Sequence, residues 1–193
     1  MTDLKLLRAY AEERHIPILQ TPTEELLIKL LHDLKPENIL EIGTAIGYSG
    51  LVMLKNSSAH LTTIELDENR FEMAKQNFEP YKTRVTQILG DATQTLKTLT
   101  GSFDLVFLDG PKGQYLRQLP DILRLLSPNG HLLADNILYH GWVKGDAYPA
   151  HKHRTAILRL REFIKTCEGT FEDFRLLEIG DGIIIGKKPK KNA

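Results

Sequence analysis

The stretch that most constrains this chain is Asn38 to Gly50, NILEIGTAIGYSG. Asn38 to Ile42 is a short apolar run of the kind a buried parallel strand shows. Gly43-Thr44-Ala45-Ile46-Gly47 follows, then a segment from about Tyr48 to Lys55 that suits a helix. A glycine pair between a strand and a helix lets the backbone turn tightly and approach a ligand closely. The unbonded amides of the new helix favour the negative end of whatever binds there. The spacing is G-x-x-x-G, so the dinucleotide fingerprint G-x-G-x-x-G is absent. Glu41 stands just before the first glycine. A carboxylate there repels a pyrophosphate and suits a ligand carrying an ammonium or a sulfonium group. An ordinary strand–turn–helix junction would read the same way, so the rest of the chain has to decide.

At 193 residues one domain is expected, divided into N-terminal helices (1–35), a core (36–186) and a basic tail (187–193). The formal net charge is zero, so no global field announces a nucleic-acid binder. The single cysteine, Cys167, excludes a disulfide framework and a cysteine-based zinc site, and a buried structural thiol is expected. No secretory signal opens the sequence and no apolar run approaches the ~20 residues of a membrane span. A cytoplasmic enzyme without membrane contact is the expectation.

Leu4 to Glu13 reads as an amphipathic helix. Thr21-Pro22-Thr23-Glu24 opens a second, with Thr21 as N-cap, Pro22 in the first helical position and Glu24 completing a capping box. Leu27, Leu30, Leu31 and Leu34 follow at helical spacing until Lys35-Pro36 ends it. Further strands are expected at His60–Leu66, Arg84–Leu89, Phe103–Leu108 and Gly130–Ala134. Helices run from Asp67 to Phe78, from Asp91, and from about Lys112 to Leu126. Such alternation implies a parallel sheet covered by helices on both faces. The end differs: a helix at His151–Thr166 is followed by strands at Phe174–Ile179 and Gly182–Gly186. The short link between those strands permits only an antiparallel hairpin.

Ligands of open parallel sheets bind beyond the carboxyl ends of the strands. Those ends carry Glu41 to Gly43, Glu65, Asp91, Asp109 and Asp135-Asn136, an acidic group at each. Clustered carboxylates repel one another unless something positive sits among them. Glu65 is placed to accept both ribose hydroxyls of a nucleoside, and Asp91-Ala92 to meet an adenine amino group. A plain helix N-cap is the bland alternative for Asp91. A second constellation is D-G-P-K-G-Q-Y, with Asp109, Lys112 and Tyr115, then A-D-N with Asp135 and Asn136. Two carboxylates and an amide oxygen on adjacent strand ends can converge on a hard cation such as Mg²⁺. Lys112 lies one turn from Asp109, where it forms an ion pair or helps to deprotonate a hydroxyl.

ILEIGTAIGYSG, the D-x-x-K-x-x-Y spacing and A-D-N together resemble the metal-dependent O-methyltransferases typified by catechol and caffeoyl-CoA O-methyltransferases, over nearly the whole chain. The resemblance implies a Rossmann-like α/β methyltransferase fold that binds S-adenosylmethionine (SAM), with a mostly parallel seven-stranded sheet ending in an antiparallel hairpin. It makes Asp109, Asp135 and Asn136 the metal ligands, Lys112 the general base and Asp109 a further contact for SAM. Glu41, Gly43, Thr44, Gly47, Tyr48 and Ser49 would bind SAM, with Ser49 and the backbone near Gly43 holding its methionine end. A homodimer is also implied. The segment His153 to Phe163 (HRTAILRLREF) and the ending I-G-D-G-I are most similar to the bacterial branch that methylates 5-hydroxyuridine at the tRNA wobble position.

SAM carries its own activated methyl, so the enzyme has to ionise a hydroxyl and hold it in line. Chelation demands two adjacent oxygens, which a catechol offers and 5-hydroxyuridine offers through its 5-hydroxyl and 4-carbonyl. From His140 to Lys165, Lys144, Lys152, Arg154, Arg159, Arg161 and Lys165 outnumber Asp146 and Glu162, an excess of +4. That excess suits an anionic acceptor such as RNA, the tRNA anticodon region included, or a CoA ester; a solvated helix face is the alternative. Tyr139, His140 and Trp142 either line a substrate mouth or pack their own loop down. Lys187 to Lys191 reads as a solubilising tail or an RNA contact. A non-catalytic SAM-binding protein has no use for the Asp109/Lys112/Asp135/Asn136 set. An NAD-dependent oxidoreductase lacks its glycine fingerprint.

Overall fold

Apolar runs alternating with helical stripes give seven strands and seven α-helices in the computed structural model, which describes residues 3–145 and 151–190. In chain order they are α1 (Leu4–Glu13), α2 (Thr21–Leu34), β1 (Asn38–Ile42), α3 (Tyr48–Asn56), β2 (His60–Glu65), α4 (Glu68–Phe78) and β3 (Val85–Leu89). Then come α5 (Ala92–Thr98), β4 (Phe103–Leu108), α6 (Tyr115–Leu125), β5 (Leu126–Ala134), α7 (His151–Thr170), β6 (Glu172–Leu177) and β7 (Ile183–Lys187). The strands form a mostly parallel seven-stranded sheet with an antiparallel C-terminal hairpin. The chain divides into two compact units, residues 1–95 and 96–193. Among the described residues no helix is long and apolar enough to cross a membrane. Asp146 and Lys191 lie outside the described residues.

In the first unit the strand order is β3-β2-β1, all parallel, with Asn38 opposite His60 and Leu61 opposite Val85. Ile39, Leu40, Ile42, Leu61 and Ile64 are buried, as expected of parallel strands covered by helices. Asp67 caps α4 as its position predicts, its Oδ1 accepting the Arg70 amide at 2.9 Å. Gly50 packs α3 against α4, because a Cβ there would lie 2.6 Å from Cζ of Phe78. The start of α2 corrects the sequence reading. Its N-cap is Gln20, without a side-chain capping bond, and Thr21 is already helical. Glu24 closes no capping box because its carboxylate binds Arg8 and Tyr48 instead.

In the second unit the order is β4-β5-β7-β6. β4 and β5 are parallel, while β7 pairs antiparallel with both β5 and β6. The hairpin matches the expectation in kind and differs in bounds. β6 starts two residues earlier than predicted, and its pairing with β7 shifts register between Glu172 and Arg175, where Asp173 has φ 51°. β5 begins at Leu126, ahead of Gly130, with a similar shift opposite Phe103–Leu105. α7 continues to Thr170 rather than Thr166, carrying Cys167, which is fully buried.

Candidate active site

The turn after β1 is built on left-handed backbone: Gly43 has φ 101°, Ala45 46° and Gly47 84°. The Gly47 amide donates to the Thr44 carbonyl at 2.8 Å, and the Gly43 amide to the Ile64 carbonyl of β2 at 3.0 Å. Glu41 is fully buried. One oxygen accepts the Ser49 hydroxyl and the other accepts the Thr63 hydroxyl at 2.6 Å. The carboxylate predicted to face a ligand's positive group thus secures the first turn of α3 from within. Glu65 does comparable work at the end of β2. Its Oε2 accepts the Ala45 amide at 2.7 Å, and its Oε1 accepts the Leu66 and Asp67 amides, each at 2.9 Å. A carboxylate carries about four lone-pair positions, so these bonds leave capacity for a ligand hydroxyl. Asp91 is exposed, and its Oδ1 accepts the Thr93 and Gln94 amides at 2.7 and 3.2 Å, ahead of Ala92, the first residue of α5. The helix-cap reading of Asp91 therefore holds, whatever else it contacts.

Tyr48, the first residue of α3, is buried and belongs to a cluster that sequence reading missed. Its hydroxyl donates to Glu24 Oε2 at 2.8 Å and accepts from Arg8 Nε at 3.1 Å. Arg8 Nη2 donates to the same Glu24 oxygen at 2.6 Å and to the Leu19 carbonyl at 3.0 Å. Burial and the Glu24 carboxylate push the Tyr48 hydroxyl up to about 12, so it stays neutral at physiological pH. The segments involved lie 16 and 24 residues apart, and only the fold reveals their pairing.

In the second unit, β4 delivers Asp109 and β5 delivers Asp135 and Asn136. Lys112 Nζ lies 2.8 Å from Asp109 Oδ1 and donates to the Tyr115 hydroxyl at 2.9 Å. The fully buried Tyr115 hydroxyl in turn faces the carbonyls of Leu108 and Asp135, at 3.1 and 3.2 Å. One tyrosine thus ties Lys112 to the ends of both strands. Burial opposes the charge on Lys112, but Tyr115 and Asp109 outweigh it and raise its pKa. In this arrangement the amine donates hydrogen bonds to both neighbours. Asp135 is buried, and desolvation together with the nearby Asp109 charge pushes its carboxyl up to about 6, although the Asn136 amide donates to Oδ1 at 2.7 Å.

Two close carboxylates plus an amide oxygen are hard donors, and a shared cation would relieve their repulsion, so the residues fit a divalent metal. Among the described residues no group of three or more His, Cys, Asp or Glu is arranged to hold one. The trio Asp109, Asp135 and Asn136 has only two such members.

After Asn136 the chain turns through Tyr139, His140 and Trp142, whose rings pack against one another and against His153 at centroid distances of 5.1–5.8 Å. The Tyr139 hydroxyl hydrogen-bonds His153 Nδ1 at 3.0 Å. Much of the basic excess that follows is used internally. Lys144 pairs with Glu178, Arg159 donates to the Gly113 carbonyl at 3.1 Å, and Arg161 donates to the Val143 carbonyl at 2.9 Å. In the tail, Lys188 donates to the Leu123 and Leu126 carbonyls at 2.6 and 2.5 Å.

An O-methyltransferase family model matches residues 2–189. A Staphylococcus aureus protein provisionally named a caffeoyl-CoA O-methyltransferase has a solved structure with TM-score 0.88 and 30% identity, over 97% of this chain and 93% of that one. The SAH-bound Podospora anserina methyltransferase PaMTH1 gives 0.83 at 29% identity, over 99% and 89%. A catechol O-methyltransferase of Niastella koreensis is 29% identical over 132 residues, 64% of this chain and 60% of that protein. The chain spans about half the length of the Aspergillus O-methyltransferases that it also matches, 53% and 46%.

Proposed function

We propose, for a chain that belongs to the O-methyltransferase family, metal-assisted methyl transfer from SAM to one of two adjacent oxygens on a small planar acceptor of the catechol class. The observation that carries this reading is the pair Asp109 and Asp135, with the Lys112 ammonium against Asp109 and the Asp135 carboxyl pushed up by burial and by the charge of its neighbour. Asp109, Asp135 and Asn136 would hold a divalent cation, which supplies charge that lowers the pKa of an acceptor hydroxyl and fixes its direction. Lys112 presents a positive charge and a hydrogen-bond donor toward a developing oxyanion, and Tyr115 fixes where that donor sits. In the first unit, Gly43, Thr44, Gly47 and Ser49 form the turn for the methionine end of SAM. Tyr48 and Glu41 brace that turn, Glu65 faces the ribose, and Asp91-Ala92 the adenine.

The small-acceptor reading draws support from the catechol O-methyltransferase relative and from the internal use of Lys144, Arg159 and Arg161. The wobble 5-hydroxyuridine of tRNA is the second reading. It rests on the likeness of His153 to Phe163 and of I-G-D-G-I to that branch, and it uses the same pair of oxygens. The test is kcat/KM on a catechol and on a hydroxyuridine-containing anticodon stem-loop, with and without EDTA. Catechol turnover that EDTA abolishes is expected. Methylation of the stem-loop alone would establish the second reading, and full activity in excess EDTA would end the metal mechanism.

A further inference from the structure

The last hairpin reaches back to the loop that follows Asp135 and Asn136. The Ile137 amide donates to the Gly182 carbonyl at 2.8 Å, and the Leu138 amide donates to the Asp181 carbonyl at 2.8 Å. The Asp181 side chain adds a third bond, its Oδ1 accepting the His140 amide at 2.6 Å. These contacts matter because the loop is held in backbone that side-chain residues rarely adopt. Asn136 has φ 56°, Tyr139 47° and His140 59°, followed by Gly141 at 77°. Such conformations persist only where surrounding structure imposes them. The fit is close on the other side as well. Gly182 has φ 85°, and a Cβ there would lie 2.3 Å from Cγ of Leu138.

We propose that Asp181 is a positioning residue: by accepting the His140 amide it holds the Asn136–Val143 loop in its left-handed path, and so holds Asn136 in place for the metal and acceptor. The assignment rests on the reading of Asp135 and Asn136 as metal ligands. Asp181 touches neither reacting group. It acts through the loop, where a displacement of ~1 Å is enough to lose a productive geometry.

Full-length Asp181→Ala and Asp181→Asn test this. The readouts are amide hydrogen exchange across 136–143 in metal-free protein, the Kd for Mg²⁺ alone, the Kd for SAM and the KM for catechol. Asp181→Ala should speed exchange at His140 and its neighbours at least tenfold and raise the Mg²⁺ Kd and catechol KM at least fivefold. The SAM Kd should stay within twofold. Asp181→Asn keeps an oxygen that can accept the same bond and should restore wild-type behaviour. Gly182→Ala, which drives the turn against Leu138, should loosen the loop with Asp181 intact. Exchange and Mg²⁺ affinity unchanged in Asp181→Ala would overturn the proposal. So would Asp181→Asn failing as badly as Asp181→Ala, since charge rather than the bond would then be at work. If wild type binds no Mg²⁺, the metal reading fails, and the exchange measurement still decides whether Asp181 holds the loop.

Discussion

Glu65 accepts the Ala45 amide at 2.7 Å, so the end of β2 fixes the turn that follows β1. Ala45 has φ 46°, a conformation that needs such an external hold. Glu65→Ala should weaken SAM binding by about 1–3 kcal/mol, the scale of leaving polar groups unmet in a site. Titration calorimetry reads this directly. A SAM Kd equal to wild type would show that the turn keeps its shape unaided and that Glu65 meets no part of the nucleoside.

If Asp135 holds the metal as proposed, Asp135→Ala should abolish turnover and leave SAM affinity nearly intact. EDTA should reproduce the effect in the wild type, and added Mg²⁺ should reverse it there but not in the variant. Loss of SAM binding in the variant would point instead to a structural role at the end of β5.

The raised Asp135 carboxyl also makes metal-free stability depend on pH. Its folded value of about 6 exceeds the ordinary 3.8, so its contribution is fully present below about pH 4 and is lost as pH rises through 6. Asp135→Asn cannot ionise. In EDTA it should therefore gain on the wild type between about pH 4.5 and 7.5, by about 2 kcal/mol. Denaturant melts at both pH values measure the gap. A gap that does not change with pH would mean that Asp135 ionises without cost.

Arg8→Ala should destabilise the protein by about 1–3 kcal/mol, since it strips Glu24 and Tyr48 of a part-buried partner and unties Leu19. Arg8→Lys should recover only part of this, because a single ammonium cannot span three acceptors as a guanidinium does. Equal stability of Arg8→Ala and wild type in urea would reduce the cluster to a surface contact.

Gly50→Ala should cost about 1–3 kcal/mol by overpacking α3 against Phe78. Phe78→Leu shortens the obstructing ring, so the two changes together should cost less than their sum. Strict additivity of the two melting shifts would remove the steric explanation.

Where sequence reading succeeded, the signal was local. The apolar run Asn38–Ile42, the glycine turn and the Asp67 cap each sit within a few residues of the feature they predict. It failed where a side chain's partner comes from elsewhere. Glu24 looks like a capping-box residue until Arg8 and Tyr48 claim it. In the basic stretch after His140, Lys144, Arg159 and Arg161 meet Glu178 and the carbonyls of Gly113 and Val143, partners that the sequence does not show. Asp181 reads only as a turn residue, because nothing near it in sequence shows that its acceptor serves His140.

The order β4-β5-β7-β6 has a consequence for how the chain is made. β4 and β5 leave the ribosome early, while the strand that covers the far edge of β5 begins only at Ile183. Through that interval Leu132, Leu133 and Ala134 present an unpaired apolar edge. Synthesis is slow beside strand pairing, so a nascent chain has time to find the same edge on a neighbour. A polypeptide released before Ile183 never closes it. Premature termination late in the message should therefore yield a sticky fragment, cleared by proteolysis or lost to inclusion bodies, rather than a weakened enzyme.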